Sequence, residues 1–195
     1  MAVLWGIDYG KKLSGNTVIC EKRDHSVQFF RALRDRDADR FILELAGQNP
    51  PKHIFIDAPL TLPGAFYDNN RYGSFFFRQC DQELSAMSPM FLGALTARAI
   101  RLKSLLSKMN LHMKEAYPKA LARHLKLPQH GYRRGRENIG VCADVIMESS
   151  KLMVAKADLL TWHHVDALLA LVTAVRYEQK LSYTFGDPDE GLVYL

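Results

Sequence analysis

Two aspartates each close a short apolar run, and carboxylates in such positions can hold a cation. Asp8 ends the run at residues 3–8, and Asp57 ends the run at 53–57. Short apolar, β-branched or aromatic runs bounded by Gly and Pro predict buried strands. In open α/β sheets, ligands bind beyond the carboxyl ends of the strands. Because two neighbouring acids repel unless a cation or a shared proton intervenes, the pair favours a divalent metal site.

The alternative is that each aspartate only begins a turn. Asp readily hydrogen-bonds its own backbone, and Asp8 stands in Asp-Tyr-Gly while Asp57 stands in Asp-Ala-Pro. Either residue alone fits a turn as well as a site. The recurrence of an acid at the end of both strands favours function.

A third acid, Asp166, lies in a helix that we predict from Thr161 to residue 179. Residues 167–175 are almost entirely apolar, so this helix is expected in the interior, where a carboxylate needs a partner. His163 lies three residues earlier on the same helical face and could bind Mn²⁺ or move protons near neutral pH. The alternative is that the helix dipole alone stabilises an acid in the first turn.

Glu115 supplies a further carboxylate at the end of a strand predicted at 111–116. If that strand is parallel to the first, Glu115 faces the same edge of the sheet. Mg²⁺ takes carboxylate oxygens and retains several waters. Ions held by three or four acids would activate a water and stabilise the departing oxygen of a phosphodiester. The predicted catalytic residues are Asp8, Asp57, Glu115, His163 and Asp166, with Mg²⁺ or Mn²⁺ as cofactor.

Seven basic side chains are candidates for contact with nucleic acid. They are Lys11 and Lys12 in the turn after the first strand, Arg98 and Arg101 on a predicted helix, and Arg133, Arg134 and Arg136 in a basic loop. Charge and the adjacent ring of Tyr132 suit that loop to phosphates and bases. Solvated surface charge is the alternative for each. The net charge of +5 is compatible with a polyanionic partner but does not require one.

Length and composition predict one soluble domain. The chain has 195 residues, 48% of them hydrophobic and 24% charged. We find neither an apolar stretch that would span a bilayer nor a secretion signal, so no membrane partner is expected. The three cysteines are widely spaced, which favours a reducing cytoplasm. Oligomeric state stays open, with a homodimer among the options.

The order of predicted elements places these residues in an α/β fold, on a mixed sheet of five strands. An antiparallel meander of three strands is followed by a helix, a strand parallel to the first, further helices and the strand at 111–116. The segments are strands at 2–8, 13–21, 26–32 and 53–58, helices at 37–46, 91–108, 118–126 and 139–155, and a short terminal strand. A loop or helical insertion at about 59–90 interrupts the domain. Its aromatic part, 59–77, is either a lid or binding loop or a hairpin that folds back on the core.

This order is that of the ribonuclease H-like fold. Residues 6–15, Gly-Ile-Asp-Tyr-Gly-Lys-Lys-Leu-Ser-Gly, resemble the opening strand of YqgF-type and RuvC-type resolvases. Residues 163–171, His-His-Val-Asp-Ala-Leu-Leu-Ala-Leu, resemble the terminal helix of RuvC-type enzymes. The chain more closely resembles the predicted nucleases of ribonuclease H-like fold classed as domain of unknown function 429. The matching segments are 56–63, 78–81, 115–118, 166–168 and 186–191.

The resemblance implies a metal-dependent nuclease with Asp8, Asp57 and Asp166 as metal ligands, and with Glu115 and His163 as further candidates. RuvC-type enzymes usually have Glu where this chain has Asp57, and no bulky prolines follow it there. The prolines and aromatics after Asp57 would narrow the cleft toward a small nucleotide or a single-stranded end. The alternative function is a nucleotide- or metabolite-binding protein of related actin-like arrangement without nuclease activity. A scaffold that has lost activity is a third interpretation.

Overall fold

The computed structural model describes residues 2–195, which form a mixed β-sheet with helices on both faces. The strands in this range are β1 Leu4–Asp8, β2 Val18–Arg23, β3 Ser26–Arg31, β4 His53–Asp57, β5 Met113–Ala116, β6 Thr184–Phe185 and β7 Val193–Tyr194. The α-helices in the same range are α1 Ala38–Gln48, α2 Gln79–Leu84, α3 Pro89–Leu92, α4 Ala94–Ser107, α5 Pro118–His124, α6 Ile139–Ser150 and α7 Trp162–Glu178. None of these helices combines the length and apolar character needed to cross a membrane.

The order of strands across the sheet is β3-β2-β1-β4-β5-β7-β6. β1, β2 and β3 form an antiparallel meander, β4 is parallel to β1, and β5 is parallel to β4. The prediction of an α/β fold with three antiparallel strands followed by parallel ones is therefore confirmed. The predicted sheet of five strands is extended to seven in the described range by β6 and β7. β7 lies in the predicted terminal strand, whereas β6 was not predicted, because its two residues are too few for an alternating pattern to appear in the sequence.

Alternation along the strands separates two apolar clusters on opposite faces of the sheet. Trp5 and Ile7 of β1 face α1 and α4, whereas Phe55 of β4 belongs to the cluster built around α7. Successive side chains point to opposite faces, so Asp8 and Asp57 follow on the α7 face. This alternation turns both strand-ending carboxylates toward the beginning of the same helix.

Gly6 allows α7 to lie directly on β1. A Cβ atom at this position would be 2.0 Å from the backbone nitrogen of Leu171 and 2.4 Å from the carbonyl oxygen of Ala167. Only glycine therefore permits this close approach of helix to strand. Because Gly6 is two residues before Asp8, the contact also determines where the first turn of α7 lies relative to that carboxylate.

Several predicted elements have different ends in the structure. The second strand begins at Val18 instead of residue 13, because the preceding residues turn and Gly15 has a positive φ of 69°. The helix predicted at 91–108 is divided at Gly93, whose φ is 48°. The helix predicted at 139–155 ends at Ser150, and Lys151 follows it in the left-handed region. The sequence pattern did not indicate α2.

Candidate active site at the strand ends

Asp8 and Asp57 are direct neighbours at the ends of two parallel strands. They are paired in the register of β1 and β4, and neighbouring strands lie about 4.8 Å apart. Paired residues of parallel strands point to the same face, so the two carboxylates are side by side. The structure thus brings together Asp8 and Asp57, the two acids predicted at the ends of neighbouring strands.

Asp57 is the residue of the site that lacks a compensating partner. Its carboxylate makes no side-chain hydrogen bond or ion pair within residues 2–195. Burial raises the pKa of Asp57 well above its ordinary value, and the nearby charges of Asp8 and Asp166 raise this pKa further. Arg133 acts in the opposite direction but does not reverse the effect. The fold therefore maintains an electrostatically unfavourable acid at the edge of the sheet.

Asp166 is fully buried in the first turns of α7 and is held by the basic loop. The Tyr132 hydroxyl donates to one carboxylate oxygen, and Nε and Nη2 of Arg133 donate to the other, with Nε at 3.1 Å. Burial nevertheless raises the pKa of Asp166. The sequence pointed to His163 as the nearest compensating group, but the partners of Asp166 come from a loop 33 and 34 residues away.

His163 contacts Asp8 instead. The distance between Nδ1 of His163 and Oδ2 of Asp8 is 2.8 Å. This hydrogen bond is the main cause of a raised pKa at His163. The side chain is 37% exposed, so it can exchange protons with solvent or with a bound molecule.

Glu115 lies at the same edge but points to the other face of the sheet. It is paired in register with Ile56, so its side chain is directed away from that of Asp57. Both Glu115 oxygens accept from the Arg78 guanidinium, at 2.7 and 2.8 Å, and one also accepts from the backbone N–H of Leu60. Burial raises the pKa of Glu115 and Arg78 opposes that shift. The structure therefore does not place Glu115 in the group of three aspartates.

Arg78 and Glu190 organise the insertion next to the site. Arg78 is buried and bonds Asp81 as well as Glu115, which joins α2 to β5. Glu190 is also buried and accepts from the backbone N–H groups of Gly64 and Gln79. Sequence reasoning did not assign a role to Glu190, although it lies in the segment 186–191 that carried the family resemblance.

One of the predicted phosphate-binding residues, Arg133, contacts a site carboxylate, that of Asp166. Arg98 is held by Asp39 and by the carbonyl oxygen of Gly10, and it lies over a tyrosine ring. Of the others, Lys12 pairs with Asp37, Arg136 donates to the carbonyl oxygen of Leu160, and Lys11, Arg101 and Arg134 are exposed.

A cavity of about 590 Å³ opens beside the aspartates. Its lining includes the charged side chains of Asp57, Glu115 and Arg133. It also includes apolar side chains of the insertion and of the segment that follows it, among them Phe77, Met87, Phe91, Leu92 and Leu95. This volume lies within the range of small-molecule and cofactor sites.

The oxygens at the strand ends suit a hard cation. Asp57 has no partner within the described residues, and only one Asp8 oxygen is taken up by His163. Carboxylate oxygens are the donors that Mg²⁺ prefers. Within residues 2–195, however, no group of three or more His, Cys, Asp or Glu side chains is arranged so that it could hold a metal ion. Asp166 is instead bonded to Tyr132 and Arg133, so a set of three aspartate ligands stays a prediction.

No family model and no curated protein matches the chain. Among solved structures it is similar to the RuvC structure of Thermus thermophilus, with a TM-score of 0.43 and 12% sequence identity, covering 91% of this chain and 96% of that one. A similarity this weak does not transfer an activity. The case for function therefore depends on the geometry of the site.

Proposed function

We propose that the protein is a divalent-metal-dependent phosphodiesterase that cleaves nucleic acid. The observation that supports the proposal is the unpartnered Asp57 carboxylate beside Asp8, in the wall of a cavity that Arg133 also lines with its guanidinium. A cation compensates clustered carboxylates, and a basic wall attracts a phosphate. Mg²⁺ or Mn²⁺ is the cofactor that these oxygen donors would accept.

Asp57 and Asp8 would hold the cation, and Asp166 would join them when Arg133 turns to a phosphate. When bound, the cation would activate a water and stabilise charge on the phosphodiester. The Arg133 side chain is 53% exposed although it reaches Asp166, so it can contact a phosphate in the cavity. His163, whose pKa is raised by its hydrogen bond to Asp8, would give a proton to the departing oxygen.

Metal-dependent cleavage of a panel of labelled single-stranded and duplex DNA and RNA tests the proposal. Asp57→Asn should lower the rate by about 100-fold or more, because it removes the carboxylate that has no other partner. The matched control is Asp144→Asn, which changes an exposed aspartate paired with Lys156 and should cleave as the wild type does. Equal cleavage by the Asp57→Asn variant, or no cleavage of any substrate with Mg²⁺ or Mn²⁺, would contradict the proposal.

The size of the cavity favours a second candidate, the binding of a nucleotide without cleavage. About 590 Å³ would accommodate a single nucleotide, and the insertion encloses one end. A ligand that prefers the native state raises the melting temperature. A larger shift with Mg²⁺ and ATP than with Mg²⁺ and an oligonucleotide, together with no cleavage, would select this second function.

A further inference from the structure

An exposed group of aromatic and methionine side chains adjoins the cavity. We define the apolar platform as Phe76, Phe77, Met87, Met90 and Phe91. Phe91 is 68% exposed, Met87 59% and Phe76 55%. Contiguous exposed apolar surface of this kind usually marks a binding site.

The rings of the platform are held in fixed positions. The ring centroid of Phe91 is 6.1 Å from those of Phe76 and Phe77, tilted against the first and perpendicular to the second. The Ser88 hydroxyl donates to the carbonyl oxygen of Phe76 and accepts from the N–H of Met90, which joins the insertion to the start of α3. A platform held by such contacts can present ring faces without much further loss of conformational entropy on binding.

The platform and the aspartates share one cavity. Phe77, Met87 and Phe91 line it together with Asp57 and Arg133. Lys119 lines the same cavity and is exposed. An occupant with flat apolar faces and regularly spaced negative charges matches this combination of rings and cations. A purely apolar protein segment would leave the ammonium group of Lys119 without a partner.

We propose that the apolar platform binds unpaired bases of single-stranded nucleic acid by stacking, and so directs the attached phosphate to the strand-end aspartates. This inference rests on the proposed function and specifies its substrate class. Bases inside a duplex are stacked on each other, so their faces are not available to Phe91. The structure thus assigns to the platform a preference for single strands over duplexes.

Fluorescence anisotropy with a labelled single-stranded oligonucleotide tests the proposal. Measurement in EDTA prevents metal-dependent cleavage, so a failure of stacking is separable from a failure of catalysis. Phe91→Ala should weaken binding by about tenfold, the effect of losing one stacked base. Tyr183→Ala removes another exposed ring, which does not line the cavity, and it should bind as the wild type does. Phe91→Trp should retain binding.

Two further measurements separate stacking from charge. A strand of the same length with abasic sites should bind wild type and Phe91→Ala equally, because it has phosphates but no base faces. Lys119→Ala should reduce the salt dependence of binding, whereas Phe91→Ala should leave that dependence unchanged. Equal binding of the normal strand by Phe91→Ala and Tyr183→Ala would overturn the proposal. So would a concentration-dependent dimer that Phe91→Ala abolishes while strand binding is unchanged, because the platform would then be a dimer contact.

Discussion

Replacement of Asp57 by Asn should stabilise the protein in the absence of metal. Asp57 and Asp8 are register neighbours, and two carboxylates about 5 Å apart at an effective dielectric constant of about 20 repel by about 3 kcal/mol. Arg133 offsets part of this repulsion. We therefore expect the free energy of unfolding to rise by about 1–3 kcal/mol at neutral pH.

The stability that Asp57→Asn gains over the wild type should increase as the pH rises. The pKa of Asp57 is raised in the folded protein, so the folded state retains a proton that the unfolded chain has already released. Stability of the wild type should therefore fall as pH rises above about 3.9, the unfolded pKa, with a slope of up to about 1.4 kcal/mol per pH unit until the folded pKa is passed. Because asparagine does not titrate, the variant lacks this fall.

Urea unfolding followed by circular dichroism, in EDTA and over a series of pH values, measures the difference. The difference in the free energy of unfolding between Asp57→Asn and the wild type should be small in acid and largest at neutral pH. Asp144→Asn is the control and should show little change at any pH. Added Mg²⁺ should stabilise the wild type more than the Asp57→Asn variant. A variant that is less stable than the wild type at neutral pH, or a difference independent of pH, would refute the reasoning.

Three further substitutions test other contacts of the fold and the site. Arg78→Met leaves two buried carboxylates unpaired and should cost about 3–5 kcal/mol in urea unfolding, whereas Arg40→Ala, at a surface ion pair, should leave the free energy of unfolding nearly unchanged. Gly6→Ala should destabilise the protein by about 2 kcal/mol or more, since the new methyl group would meet the backbone of α7. Gly140→Ala, with open space around it, is the control and should be neutral or stabilising. A small effect at Gly6 would contradict the described packing. In EDTA, Arg133→Ala should lower the melting temperature, because the buried Asp166 loses its ion pair. Added Mg²⁺ should then raise the melting temperature of the variant by more than that of the wild type. An unchanged melting temperature in EDTA would contradict this ion pair.

The sequence predicts the strand ends of the site well because their signal is local. Each acid follows an apolar run, and the β-α-β order makes the two strands parallel neighbours. That reasoning places Asp8 beside Asp57 without any knowledge of side-chain contacts. The α7 helix is equally predictable, because an apolar surface on all sides requires burial.

The partners of these acids were not predictable in the same way. Arg133 reaches Asp166 from a loop with no periodic pattern, and its own φ of 59° is in the left-handed region. Glu115 is the penultimate residue of its strand and is paired with Ile56, so it points to the face opposite to that of Asp57. A shift of one residue in register reverses the direction of a side chain, and the sequence of a short strand does not determine that register.

The most direct test of the central claim is anomalous X-ray scattering from crystals soaked in Mn²⁺. We expect a strong manganese peak between the carboxylates of Asp8 and Asp57. If Asp166 also binds the ion, Arg133 should be displaced from Asp166. No peak at the strand ends at saturating Mn²⁺, with the Asp57 carboxylate still without a partner, would contradict the central claim.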